Sequence, residues 1–399
     1  MFSSAELAKY ARTLWWGLAT ARTNPYQPGD VILLRFDQAA TPLAEAVYDL
    51  LMDKGMVPVP RQNLTSPMEV SFYGKGSDSQ IKTITPGDRE LMENLSGLVS
   101  LIAPASLTHL AGVDPGKIGL AAVARKFLRE IMEAREQTGD FGWTLCAYPT
   151  QEQARCAGLS IEEYAAQIKQ ACFLDTDDPV AKWREVHADV TRVKDSLGKL
   201  EIDRLKIESE SCDLTVNPGA DRRWLGVSGH NIPSFEVFLS PDWRGTEGVY
   251  YADQPSYRSG NRVAGVRLEF KAGRVTGISA QEGEDFVKKQ LSMDAGASQL
   301  GEFSLTDRRH SRIGAFMAST LFDENFGGPY GNCHVAVGAS YSDTYAGDQT
   351  SLDAAKKEAL GFNDSALHWD LVNTEDKTVT ALLKGGGSVV IYKGGEFAL

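Results

Sequence analysis

"DVILLRFD", residues 30–37, runs directly into "AATPLAEAVYDLLMDKG", residues 39–55. The first stretch is an apolar run of strand length. The second has helical spacing and stops at a glycine. The pattern then repeats. "GLVSLIAPAS" (97–106) and "GWTLCAYPT" (142–150) are further strand-length runs, and "AAVARKFLREIMEAREQ" (121–137) between them is a helix. Alternation of this kind predicts a parallel sheet with helices on its faces. Two more helices are expected at 160–173 and 178–200, and an amphipathic one at the start, where Leu7, Tyr10, Ala11 and Leu14 share a face.

The second half changes character. Segments 201–218, 234–241, 261–280 and 378–397 alternate or are rich in β-branched residues. Turn signals such as Lys271-Ala272-Gly273 and Gly385–Gly387 punctuate them. The expected architecture is an N-terminal parallel-sheet α/β domain over 1–200 and a β-rich C-terminal metal-binding domain over 201–399. A chain of 399 residues suits two domains, since single cores stop growing near roughly 250–300 residues.

A net charge of −12 argues against nucleic acid as a partner, which needs a basic footprint. No run approaches the roughly 18 apolar residues of a membrane span. The five cysteines are odd in number, widely spaced and without a Cys-x-x-Cys pair, so a reducing cytoplasm is expected. Glu6 and Lys9 fall where a secretory signal would be apolar.

Four of the six histidines lie in the second half. In "ALHWDLV" (366–372), a strand pattern points His368 and Asp370 to the same face. His334 opens "CHVAVGASY" (333–341). Glu302 and Glu236 each sit between apolar residues, and Asp323 and Glu324 end a short helix. Taken singly, His368 reads as a hydrogen-bonded structural histidine and Glu236 as the solvent face of an edge strand. Taken together, buried acids with few basic residues nearby call for a partner, and a divalent cation would answer several acids and two imidazoles at once. His230 reads as a surface turn residue.

In this order, "RRWLGVSGHNIPSFEVFLSP", "VAGVRLEFKAGRVTGISAQEGEDFV", "LGEFSL", "LFDEN", "CHVAVGASY" and "GFNDSALHWDLV" resemble the aminopeptidase T / aminopeptidase S family of dinuclear metallopeptidases. "WTLCAYPT" and the helix after it extend the likeness to the first half. The resemblance implies two divalent ions (Zn, Co, Mn or Mg) held by Glu236, Glu302, Glu324, His334, His368 and Asp370. It implies Glu302 as the bridging ligand, Glu302 or Glu236 as the proton relay, and Tyr341 as a hydrogen-bond donor to the tetrahedral intermediate. The implied activity is removal of N-terminal residues from peptides with a free N-terminus, by a cytoplasmic homodimer. Two departures stand out. Phe235 replaces a usual glycine and is expected to narrow the approach to the site. The nine residues "NFGGPYGNC" make the step from Glu324 to His334 longer than the family's. Two other readings compete. His334, His368 and Asp370 alone suit a mononuclear Fe(II) ring-opening dioxygenase, which needs neither Glu236 nor Glu302. A non-enzymatic peptide-binding protein with structural metals is the third.

Overall fold

The strand–helix unit at 30–55 forms as expected. Val31–Phe36 is a strand, Thr41–Asp53 a helix, and Gly55 turns the chain at φ +76°. The computed structural model describes residues 1–399, Pro115 by its backbone alone. The chain forms two compact units. The first comprises Met1–Arg184, Ser228–Ser234 and Ser259–Asn261; the second comprises Glu185–Val227, Phe235–Arg258 and Arg262–Leu399.

In the first unit five parallel strands run in the order Val57–Gln62, Val31–Phe36, Gly97–Ile102, Gly142–Ala147, Asn231–Ile232. Two of these strands were not legible in the sequence. "VPVPRQ" carries Pro58 and Pro60, which cannot donate to a ladder, so it serves only as an edge. Asn231–Ile232 is too short for a periodicity signal. The first helix, Ser4–Thr20, opens on a capping box between Ser3 and Glu6. Its buried Tyr10 donates to the Ala147 carbonyl at 2.9 Å, tying the helix to the Gly142–Ala147 strand.

The second unit holds two antiparallel sheets. Eight strands run in the order Arg274–Ser279, Val266–Lys271, Asp242–Ala252, Asp213–Asn217, Ile202–Glu208, Thr378–Leu383, Ser388–Lys393, Glu396–Phe397. Four more run in the order His368–Asn373, Asn332–Gly338, Leu300–Thr306, Glu236–Leu239. The α/β-plus-β-rich fold class therefore stands as expected. One face of the four-stranded sheet is apolar and fully buried, with Val237, Leu239, Phe303, Leu305, Val335 and Val337. Tyr250 of the larger sheet donates to the carbonyls of Cys333 (2.9 Å) and Leu371 (2.7 Å), which locks the two sheets face to face. Among the described residues no helix is long and apolar enough to cross a membrane.

Candidate metal centre

The other face of the four-stranded sheet is polar. Residues directly opposite in a ladder share a face, and positions i and i+2 along a strand do too. Glu236 pairs with Thr306, Ser304 with His334, Glu302 with Ala336, Asp370 with Ala336, and His368 with Gly338. The register thus delivers Glu236, Glu302, His334, His368 and Asp370 to one side. Ser304, Ala336 and Gly338 on that face are small, and Phe238 and Val372 share it. A bulge between Leu300 and Glu302 aims Glu302 inward. Gly301 makes that bulge possible, since a Cβ there would lie 2.3 Å from the Ala339 carbonyl oxygen.

The side chains converge. Nε2 of His334 lies 3.0 Å from Glu302 Oε1, 3.5 Å from Glu236 Oε2 and 3.9 Å from Asp370 Oδ1. Nε2 of His368 lies 3.4 Å from Asp370 Oδ1 and 3.9 Å from Glu302 Oε2. Ser304 Oγ donates to Glu236 Oε2 at 3.4 Å. Ligand atoms of Glu236, Glu302 and His334 all lie within 4.8 Å of one another, and all three residues are buried. That span matches the shell around one cation, with metal–ligand distances of about 2 Å.

Both imidazoles are oriented from behind. Nδ1 of His334 faces the Glu324 carbonyl (3.2 Å), and Nδ1 of His368 faces the Ala339 carbonyl (2.8 Å). A carbonyl only accepts, so each Nδ1 carries the proton and each Nε2 is turned to the carboxylates. This is how metal-binding histidines are held. The donor set, the burial and the fixed tautomers fit a divalent metal.

The charges of the cluster act on its own titrating groups. Burial disfavours the charged form of His334, yet its hydrogen bond with Glu302 and the charges of Glu236, Glu302 and Asp370 raise its pKa to about 9. His368 is likewise raised to about 9, against burial, mainly by Asp370. Burial opposes ionisation of Asp370, but His368, His334 and Arg258 bring its pKa below the usual aspartate range.

The tail of the Thr320–Asp323 helix separates two acids. Asp323 turns to the backbone, accepting from Met317 N (2.7 Å) and Ser319 N (2.8 Å), and burial raises its pKa to about 7. Glu324 is buried and lies in the field of Glu236, Asp370 and Glu302; burial and those charges drive its pKa well up. Tyr341 packs its ring 4.7 Å from that of His368 while exposing 44 % of its surface. Loss of solvent around the phenol and the nearby acids raise its pKa.

Two expectations are corrected. Phe235 is fully buried and presents no surface to an incoming substrate; its backbone N–H donates to Asn325 Oδ1 at 2.6 Å. His230 lies in a bend, but its side chain is largely buried rather than free on the surface. It belongs to the first unit, where its ring packs 4.3 Å from Trp143 and its nitrogens meet Ser228 Oγ and Glu136 Oε1, each at 2.7 Å. Sequence reasoning also missed Arg258. Its Nη1 donates to the His368 carbonyl at 2.9 Å, and its guanidinium lies 5.6 Å from the Trp369 ring. No periodicity marks such a residue, because its partner lies 110 positions away.

Buried carboxylates and backbone-tethered imidazoles on one sheet face suit a divalent metal. The chain belongs to the thermophilic metalloprotease (M29) family, whose model matches residues 3–397. It is thus a metal-dependent peptide hydrolase. Aminopeptidase T of Thermus aquaticus is 30% identical over 311 residues, covering 73% of this chain and 74% of that protein. Aminopeptidase 2 of Geobacillus stearothermophilus is 30% identical over 331 residues, covering 77% and 78%. Wild-type AmpT from Thermus thermophilus superposes with a TM-score of 0.77 over 98% of this chain and 100% of that one; at 20% identity this likeness speaks for the fold.

Proposed function

We propose that this metallopeptidase is an aminopeptidase that removes N-terminal residues from peptides, using two divalent cations held by Glu236, Glu302, Glu324, His334, His368 and Asp370. The observation that carries the reading is the convergence of Glu236, Glu302 and His334 within 4.8 Å on one buried sheet face. The names of the curated relatives support the choice of aminopeptidase. When bound, paired cations lower the pKa of water and polarise a carbonyl. The chain supplies the rest. Glu302, central in the cluster, would help hold both ions. Glu302 or Glu236 takes the proton from water and passes it to the leaving amine. Tyr341, a neutral phenol beside His368, donates a hydrogen bond to the oxygen that becomes negative.

This reading includes a cytoplasmic location and a homodimer, supported by free cysteines and the family resemblance. The mononuclear iron and peptide-binding readings find no support: the iron site has no use for Glu236 and Glu302, and both sit against His334. The test strips the protein with a chelator, restores cobalt, zinc, manganese or magnesium, and assays aminoacyl-chromophore substrates beside their N-acetylated forms. Metal-restored release from the free-amine substrate alone is expected. Failure of every metal to restore release would end the proposal.

A further inference from the structure

Glu236 opens the strand Glu236–Leu239, and its ladder with Leu300–Thr306 ends at the Glu236–Thr306 pair. No further rung of that ladder holds the backbone just before the carboxylate. The ends of elements fray unless something ties them down. Here the tie comes from 90 positions away: the Phe235 backbone N–H donates to Oδ1 of Asn325 at 2.6 Å. Asn325 follows Glu324 directly and is fully buried.

The partners of this side chain decide which end of its amide faces which. A backbone N–H only donates, so Oδ1 must face Phe235. Nδ2 is then turned to two acceptors, the Leu321 carbonyl at 3.1 Å and Glu324 Oε1 at 3.5 Å. The shorter bond fastens the amide to the Thr320–Asp323 helix. The longer one is weak and steers the carboxylate more than it binds it. The same segment is sewn to two other strands, because the Glu324 carbonyl accepts from Asn332 Nδ2 (3.0 Å), His334 Nδ1 (3.2 Å) and Thr306 Oγ1 (3.3 Å). Asn325 adds the link to the Glu236 strand.

We infer that Asn325 is a positioning residue that fixes Glu236 and Glu324 relative to each other. It touches neither an ion nor the substrate in this account. The inference rests on the ligand set proposed above and adds to it how two carboxylates from separate elements are held in register. A buried amide that merely capped the short helix would stabilise the fold and leave metal binding as it is.

The experiment titrates metal-stripped wild type, Asn325→Leu, Asn325→Ser and Asn373→Ala with cobalt, reading affinity by calorimetry and the ligand field by the visible absorption of the bound ion. Asn373 is the control: it is a buried amide of the same unit that donates to the Tyr251 carbonyl (2.9 Å) and Glu375 Oε2 (3.1 Å). Asn325→Leu keeps roughly the volume and removes both ends of the amide. Its cobalt affinity should fall by about 10- to 100-fold, as for other residues that orient ligands, and its absorption bands should change. Asn325→Ser, with a hydroxyl on a shorter arm, should lie between it and wild type. Asn373→Ala should lose thermal stability while keeping the wild-type affinity and spectrum. Unchanged affinity and spectrum in both Asn325 variants overturn the inference. So do equal changes in Asn373→Ala, which would make the effect one of general destabilisation. Failure of both Asn325 variants to fold would make Asn325 a folding residue and overturn it as well. No readout here needs peptide hydrolysis, so a wild type that binds cobalt without releasing N-terminal residues ends the aminopeptidase reading alone, whereas one that binds no cobalt ends both.

Discussion

Nε2 of His334 stands 3.0 Å from Oε1 of Glu302, a residue 32 positions earlier on the neighbouring strand. Neither side chain exposes more than 4 % of its surface. Such a pair is costly to bury, and it persists because several carboxylates and a backbone carbonyl surround it. His334→Ala should therefore abolish tight metal binding and lower metal-restored activity by about a hundredfold or more. Calorimetric titration of the stripped protein with zinc measures the first effect, and kcat/KM the second.

Glu324 caps a short helix rather than standing on the sheet, and burial and the charges of Glu236, Asp370 and Glu302 raise its pKa. If it serves only one of two cations, Glu324→Ala should bind about one ion per chain where wild type binds two. Elemental analysis after dialysis reads this directly. A variant that still holds two ions removes Glu324 from the ligand set.

Arg258 holds the backbone of a strand that carries two candidate ligands, without being a ligand itself. Its Nε also meets Gln290 Oε1 at 3.3 Å. Residues in this position tune metal affinity by about 10- to 100-fold. Arg258→Met should weaken cobalt binding by that order, with Arg258→Lys in between. Equal affinities for all three proteins would assign Arg258 to edge protection alone.

Asp307 is fully buried and accepts from Arg309 Nε (2.9 Å) and from the backbone of Arg309 (2.9 Å) and Phe397 (2.9 Å), pinning the last strand. Burial opposes its ionisation, but these bonds lower its pKa below the aspartate norm. A lowered carboxyl stabilises the fold in full above its unfolded pKa of about 3.9. That stability drains away as pH falls through the folded value. Asp307→Asn should cost about 2–4 kcal/mol at neutral pH. The gap in Tm between variant and wild type should shrink below about pH 4.

Much of this could be read locally. Strand–helix alternation in the first half and β-branched segments in the second identified the architecture, because periods of 3.6 and 2 are written in neighbouring residues. The prolines of Val57–Gln62 hid an edge strand, and the two glycines and scattered charges of Asp242–Ala252 hid the longest strand of the larger sheet. Both are decided by pairing partners far away in sequence.

The candidate ligands could be named one by one from the residues and the resemblance, since acids and histidines between apolar neighbours stand out. Their convergence could not. It depends on which residue faces which across three ladders, and a slip of one position would turn a whole strand's side chains to the opposite face. Gly301 and its bulge, Arg258 behind His368, and the inward turn of Phe235 all follow from that register. Composition and periodicity determined the kind of sheet this chain makes. Only tertiary pairing determined which face receives the charges, because that choice is settled by burial of the opposite, apolar face against the second sheet.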